Sequence, residues 1–356
     1  MLKKYRNNNT KWLEASYKET KSESRGSHDK NEKTRYAIFL SLQYDLKDTD
    51  EELVRYLYKE EIKARENDDF QGIGESLWLA SYLLSKFKNP KDILLFHNAK
   101  HANFDTACGF DREFIYITLR SETEDYIKNN YPEIFEDVEG DYEDMDLENN
   151  LDSWYKRLTK RFPDNEKDEH LLDLFERCIF FDDKLSARKY LEKWKSIEPE
   201  SENKNSNLKY AYLDLGDYDK AVDLLIKELK TKETSWDIVS ASTKVLKMYT
   251  KMKSSQKGFE LIKSIDEELK KFDDWLNIGL GRILIHEAFE FSIAIDDIEI
   301  TKQVFNIVDS WFKQMDNIAY VGLKAGLESA KTCGYDDMIK KYGDLAKKEK
   351  ARIDGI

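Results

Sequence analysis

Residues 208–229 read LKYAYLDLGDYDKAVDLLIKEL. Two short helices joined at LGDYD are expected. Gly216 permits a left-handed backbone in the short turn. Ala221, being small, lets the second helix cross close to the first, and Leu225 seals the layer. A single pair of this kind cannot bury its own apolar face, so a neighbouring pair must cover it. Whether this is one unit of an array or an isolated hairpin decides whether function is sought on a surface or in a pocket.

The preceding segment, LLDLFERCIFFDDKLSARKYLEKWKSIEP, supplies a second unit. Leu174, Ala187 and Leu191 stand 34 residues before Leu208, Ala221 and Leu225. This spacing and residue choice resemble the tetratricopeptide repeat, a 34-residue helix–turn–helix. Tyr212, Gly216, Tyr218, Ala221 and Leu225 match its pattern in one unit, and Ala187, Leu191 and Pro199 in the other. Lys209 replaces the usual small residue, and Phe175 and Cys178 depart from the pattern. VLKMYTKMKSSQKGFELIKSI offers a third unit at an offset of 37, with Gly258 in the alanine role. AIDDIEITKQVFNIVDSWF follows at about 43, and LKAGLESAKTCGYDDMIKKYGDLAKK suits a capping hairpin. The resemblance covers roughly 168–350 and implies an all-α, right-handed helical-hairpin solenoid preceded by a helical N-terminal region. The competing reading is an irregular helical bundle. In the family's register the first helix of each pair lines a concave, partner-binding surface, which implies roles for Glu176, Tyr210 and Lys247. Only Asn207 and Lys247 lie near the positions of the family's carboxylate clamp, so a general peptide or protein groove is implied.

Composition agrees with an all-α chain. The 356 residues include only 14 Gly and 4 Pro, and combine 36% charged with 13% aromatic residues. Disordered chains are poor in aromatics. The net charge of −13 argues against unselective binding to phosphate backbones or anionic membranes and favours a basic partner. Cys108, Cys178 and Cys333 form no CxxC and no disulfide framework, which suits a reducing cytoplasm. The opening MLKKYRNNNTKWLEASYKETK lacks an apolar run behind its basic residues, so no secretory signal is expected, and no window is apolar enough to span a membrane.

Four segments are expected. Residues 1–36 carry ten Lys/Arg against five Asp/Glu and read as a polar, partly mobile arm, with SESRGSHDKNEK as a link. Residues 37–131 read as a helical domain: Thr49 and Glu52 suggest a capping box, Leu53 and Leu57 share a face, and GESLWLASYLLSKF is apolar nearly all round and therefore central. Asn89, Pro90 and Asp92 signal a helix start, and Asp111 is placed to cap a later helix. Residues 132–150 contain no Lys or Arg and read as an acidic linker, and 151–356 as the repeat-like domain.

HNAKHANFDTACGFDRE concentrates the reactive side chains. His97 and His101 share a helix face, and with Asp105 and Cys108 they form the set a zinc ion would use. No Glu follows His97 as in HExxH. A Cys108 thiol nucleophile would need His101 as its base. DVEGDYEDMDLE resembles a calcium loop but carries Tyr142 where the turn needs Gly. Its acids Asp137, Glu139, Asp141, Glu143 and Asp144 also suit docking of a basic partner. No GxxxxGK[ST], GxGxxG or GxSxG occurs. The expectation is therefore a cytoplasmic, non-enzymatic protein- or peptide-binding protein with no metal, no cofactor and no membrane or nucleic-acid partner. The alternatives are an immunity protein that neutralises a basic toxin such as a nuclease, and a peptide-sensing regulator.

Overall fold

A computed structural model describes residues 2–22, 25–271, 275, 279–314 and 319–355. The described chain is all-helical apart from one antiparallel hairpin, Glu19–Ser22 with Gly26–Asp29. Among the described residues no helix is long and apolar enough to cross a membrane. The chain divides into two compact units, Met1–Tyr190 and Leu191–Ile356. This differs from the four segments expected, because neither residues 1–36 nor 132–150 stand apart from the first unit.

The first unit is built around the Glu75–Ser85 helix, whose Leu77, Leu79, Ala80 and Leu83 are fully buried, as its all-round apolar sequence predicts. The Glu32–Tyr44 and Glu51–Glu66 helices pack on it. Leu53 and Leu57 share the buried face of the latter helix, but its start differs from the expected capping box. The helix opens at Glu51 after a turn in which Asp50 accepts the Lys47 N–H at 3.0 Å, while Glu52 pairs with Arg55. Asn89 does cap its turn, accepting from the Lys91 N–H beside Pro90.

The N-terminal segment is built into this core through its own basic residues. Arg6 reaches Asp50 at 2.6 Å. Arg35, fully buried, lies 2.7 Å from both Asp29 and Glu61 and donates to the Ala15 carbonyl. The excess of Lys and Arg there is partly structural charge, compensating acids from distant sequence. Glu23 and Ser24 of the expected link lie outside the described residues.

In the second unit consecutive helices pack on one another: Glu202–Leu215 on Tyr218–Leu229, that on Ser235–Lys251, and that on Ser255–Leu269; Gly279–Ala294 packs on Ile298–Phe312, that on Tyr320–Cys333, and that on Asp336–Asp354. First helices also touch first helices (Ser235–Lys251 with Gly279–Ala294, Gly279–Ala294 with Tyr320–Cys333), and the second helices Ser255–Leu269 and Ile298–Phe312 touch likewise. Gly216 caps its helix in the left-handed region, with φ 78° and ψ 18°. Ala221 is fully buried. Gly258 is packed so closely that an added Cβ would stand 2.2 Å from Phe291 Cε2. Thr301 is buried and donates to the Ser292 carbonyl at 3.1 Å. Lys209, at the place where the resemblance calls for a small residue, is accommodated by an ion pair with Glu228 at 2.8 Å.

Candidate functional site

The histidine pair lies at the end of the Ile93–Lys100 helix, with His97 in its last turn and His101 just beyond it. The four-residue spacing brings the rings together, with centroids 4.4 Å apart and planes tilted by 33°. His97 is buried at 6% exposure and His101 is exposed. The third member of the cluster comes from elsewhere: Asp137, at the end of the Pro132–Asp137 turn, places Oδ2 3.1 Å from His97 Nε2. One ligand atom from each of His97, His101 and Asp137 lies within 4.8 Å of the others. Burial, reinforced by the charge that His97 would carry, pushes the His101 imidazole below its ordinary value; Asp137 acts in the opposite sense.

The other two residues of the expected zinc set are not in this cluster. Asp105 accepts the Gly72 N–H at 2.8 Å, and Cys108 is solvent-exposed. Asp111 does not cap a helix; it accepts the Trp154 indole N–H at 2.7 Å, and burial raises its carboxyl above the usual range.

The acidic run 132–150 is folded against its neighbours. Ile134, Val138 and Leu147 are buried, and Tyr116 donates its hydroxyl to the Val138 carbonyl. The Glu124 carboxylate accepts the N–H groups of Gly140 and Tyr142 at 3.2 and 3.1 Å, fixing a turn in which Gly140 has φ 85°. Arg112 holds both carboxylate oxygens of Asp141 at 2.6 Å. With Asp137 and Asp141 so engaged and residues 141–144 helical, the segment is not an EF-hand loop. Glu139, Glu143 and Asp144 remain exposed, as do Glu133 and Glu136.

The residues that the repeat resemblance assigns to a groove fall in different units. Glu176 is in the first, where it lines a cavity of about 370 Å³ with Glu32, Tyr36, Glu75, Arg161 and Arg177. Buried there, the Tyr36 hydroxyl and Arg177 Nε and Nη2 have no hydrogen-bond partner among the described residues. Arg177 Nη1 is held by Glu169 at 2.7 Å. Tyr210 and Lys247 are in the second unit. Tyr210 is 59% exposed on the Glu202–Leu215 helix, and Lys247 bridges to Glu287 at 3.3 Å, from one first helix to the next.

Among the exposed apolar residues that sequence reasoning missed, three belong with Tyr210. Trp236, Ile283 and Val321 lie on the Ser235–Lys251, Gly279–Ala294 and Tyr320–Cys333 helices. With Tyr210, each first helix of the second unit thus carries one. Helical periodicity puts Trp236 on the side of Lys247, three turns away, and Ile283 on the side of Glu287, one turn away. The available signal was an apolar residue falling on the otherwise charged face.

No known protein family, curated protein or solved structure matches this chain. The fold defines it as an all-α protein of two helical units.

Proposed function

We propose that this is a non-enzymatic protein-binding helical protein whose second unit is a tetratricopeptide-like solenoid. Its successive first helices form the contact surface. The observation that carries the reading is the series Tyr210, Trp236, Ile283 and Val321, one exposed apolar residue per first helix, interleaved with the Lys247–Glu287 pair. Apolar anchors with charged neighbours are the usual composition of an interface centre and its rim. Photo-crosslinking residues at positions 210 and 283, with Lys348 on the last helix as control, test it. The expected result is one protein captured at both positions and not at 348, which then binds the purified chain saturably. Absence of capture, or equal capture at 348, would reject the surface.

A second reading, an immunity protein that neutralises a basic toxin, is supported by the net charge of −13 and by the exposed acids Glu133, Glu136, Glu139, Glu143 and Asp144. Acidic surface accelerates encounter with a basic partner. Deletion of the gene should sensitise the cell to a basic toxin encoded beside it; the lack of such a toxin gene, or unchanged survival, would reject the reading.

A further inference from the structure

We propose that His97, His101 and Asp137 bind one divalent transition-metal ion of the zinc class. Three observations carry this. First, two imidazoles and a carboxylate from separate elements converge, with one ligand atom from each inside 4.8 Å. The 3.1 Å between His97 Nε2 and Asp137 Oδ2 is close to the separation of two ligands on one tetrahedral ion, about 3.3 Å for bonds of 2.0–2.1 Å. Second, His97 is more than nine-tenths buried, so packing fixes the ring that presents Nε2 to Asp137. Third, the neighbouring cations are turned to other partners. Lys100 donates to the Phe110 carbonyl at 2.8 Å, and Arg112 is neutralised by Asp141.

The donor set decides the metal class. Two nitrogens and one carboxylate suit Zn²⁺, Co²⁺ or Ni²⁺, whereas Ca²⁺ and Mg²⁺ call for oxygen cages. Three protein ligands leave the remaining positions to water. Exposed His101 and half-exposed Asp137 give the ion a path in. Binding ties the end of the Ile93–Lys100 helix to the Pro132–Asp137 turn, and so fixes the beginning of the acidic run.

The test uses the full chain after chelator treatment, titrated with Zn²⁺ by calorimetry and with Co²⁺ by visible absorption. One equivalent is expected, with the ligand-field bands of a low-coordinate Co²⁺ site. Because loss of an outer-shell partner alone weakens metal sites by about 10–100-fold, loss of a ligand should weaken this one by about 100-fold or more. His101→Ala and Asp137→Asn, both at exposed side chains, carry the test should His97→Ala fail to fold. His170→Ala, at an exposed histidine elsewhere, should leave binding unchanged. Less than one equivalent bound, or wild-type affinity in His101→Ala or Asp137→Asn, would overturn the site.

Discussion

Replacement of Gly258 by alanine tests the packing logic of the second unit directly. On an exposed helix the change would stabilise by at most about 1 kcal/mol, because alanine is the better helix former. Here the new Cβ would meet Phe291 Cε2 at 2.2 Å and Cζ at 2.3 Å. These separations are about 1.5 Å inside a normal carbon–carbon contact. Phe291 is fully buried, so its ring can move only by displacing the side chains around it. Overpacking of this kind costs about 1–3 kcal/mol, and so close a contact belongs at the upper end. The net expectation is a loss of about 1–2 kcal/mol. Hydrogen exchange of peptides spanning the Ser255–Leu269 and Gly279–Ala294 helices reads the second unit separately, and should quicken about 5–30-fold. Phe291→Leu in the same chain should recover part of the loss, with a coupling of about 0.5–3 kcal/mol. Gly343→Ala is the internal control: its nearest neighbour would be Leu327 Cδ1 at 3.9 Å, an ordinary contact, so this variant should gain stability. If Gly258→Ala stabilises as Gly343→Ala does, the two helices do not approach as described.

Arg35→Met should destabilise the first unit by about 3–5 kcal/mol, because Asp29 would be left buried without its cation and Glu61 with Arg65 alone; urea unfolding measures it, and adding Glu61→Gln should restore part of the loss. Burial alone would raise the Glu61 carboxyl, but the charges of Arg35 and Arg65 overcome it and hold the group below its ordinary 4.5. Its contribution to stability is therefore complete above about pH 4.5 and is lost as pH falls through the lower folded-state value. The advantage of wild type over Glu61→Gln in urea midpoint should shrink in that window; an advantage constant down to strong acid would contradict the pairing. Thr234→Ala removes the oxygen that accepts the Asp237 N–H at 3.2 Å and should cost about 1 kcal/mol, seen as faster exchange in the first turn of the Ser235–Lys251 helix.

What the sequence made legible follows the range of the interactions involved. The all-α class, the central Glu75–Ser85 helix and the Gly216 turn rest on local patterns, and the structure has all three. Ala221 and Gly258 were legible as close-packed places: Ala221 is fully buried, and an added Cβ at Gly258 would meet Phe291. The unit boundary was not legible. A run such as 132–150 is rich in acids and free of Lys and Arg, and has the local composition of a solvated linker. Its compensating groups, Arg112 and Glu124, are supplied by preceding segments, and its few apolar residues suffice to anchor it. The basic N-terminal segment misled in the same way, since Arg6 and Arg35 meet carboxylates far along the chain. The candidate site divides on the same line: the His97–His101 pair is visible as a helical spacing, whereas Asp137 joins it only through tertiary folding.

These pairings also narrow the acidic surface. Asp29, Glu32, Glu61, Asp92 and Glu169 are buried and paired, so part of the acidic composition is spent inside the first unit. Of the five acids first assigned to a basic partner, Asp137 and Asp141 hold the segment in place, leaving Glu139, Glu143 and Asp144 to face outward. Charge reversal should separate the two groups. Lysine at all three outward positions should change stability by no more than about 0.5 kcal/mol per site while slowing association with a basic partner and flattening its salt dependence. Asp141→Lys should instead set a cation against Arg112 and open the turn, so that the Gly140 and Tyr142 amides lose exchange protection. If reversing the outward acids loosened that turn as much as Asp141→Lys does, the division between structural and presented charge would be wrong, and the segment would have to be treated as one electrostatic unit.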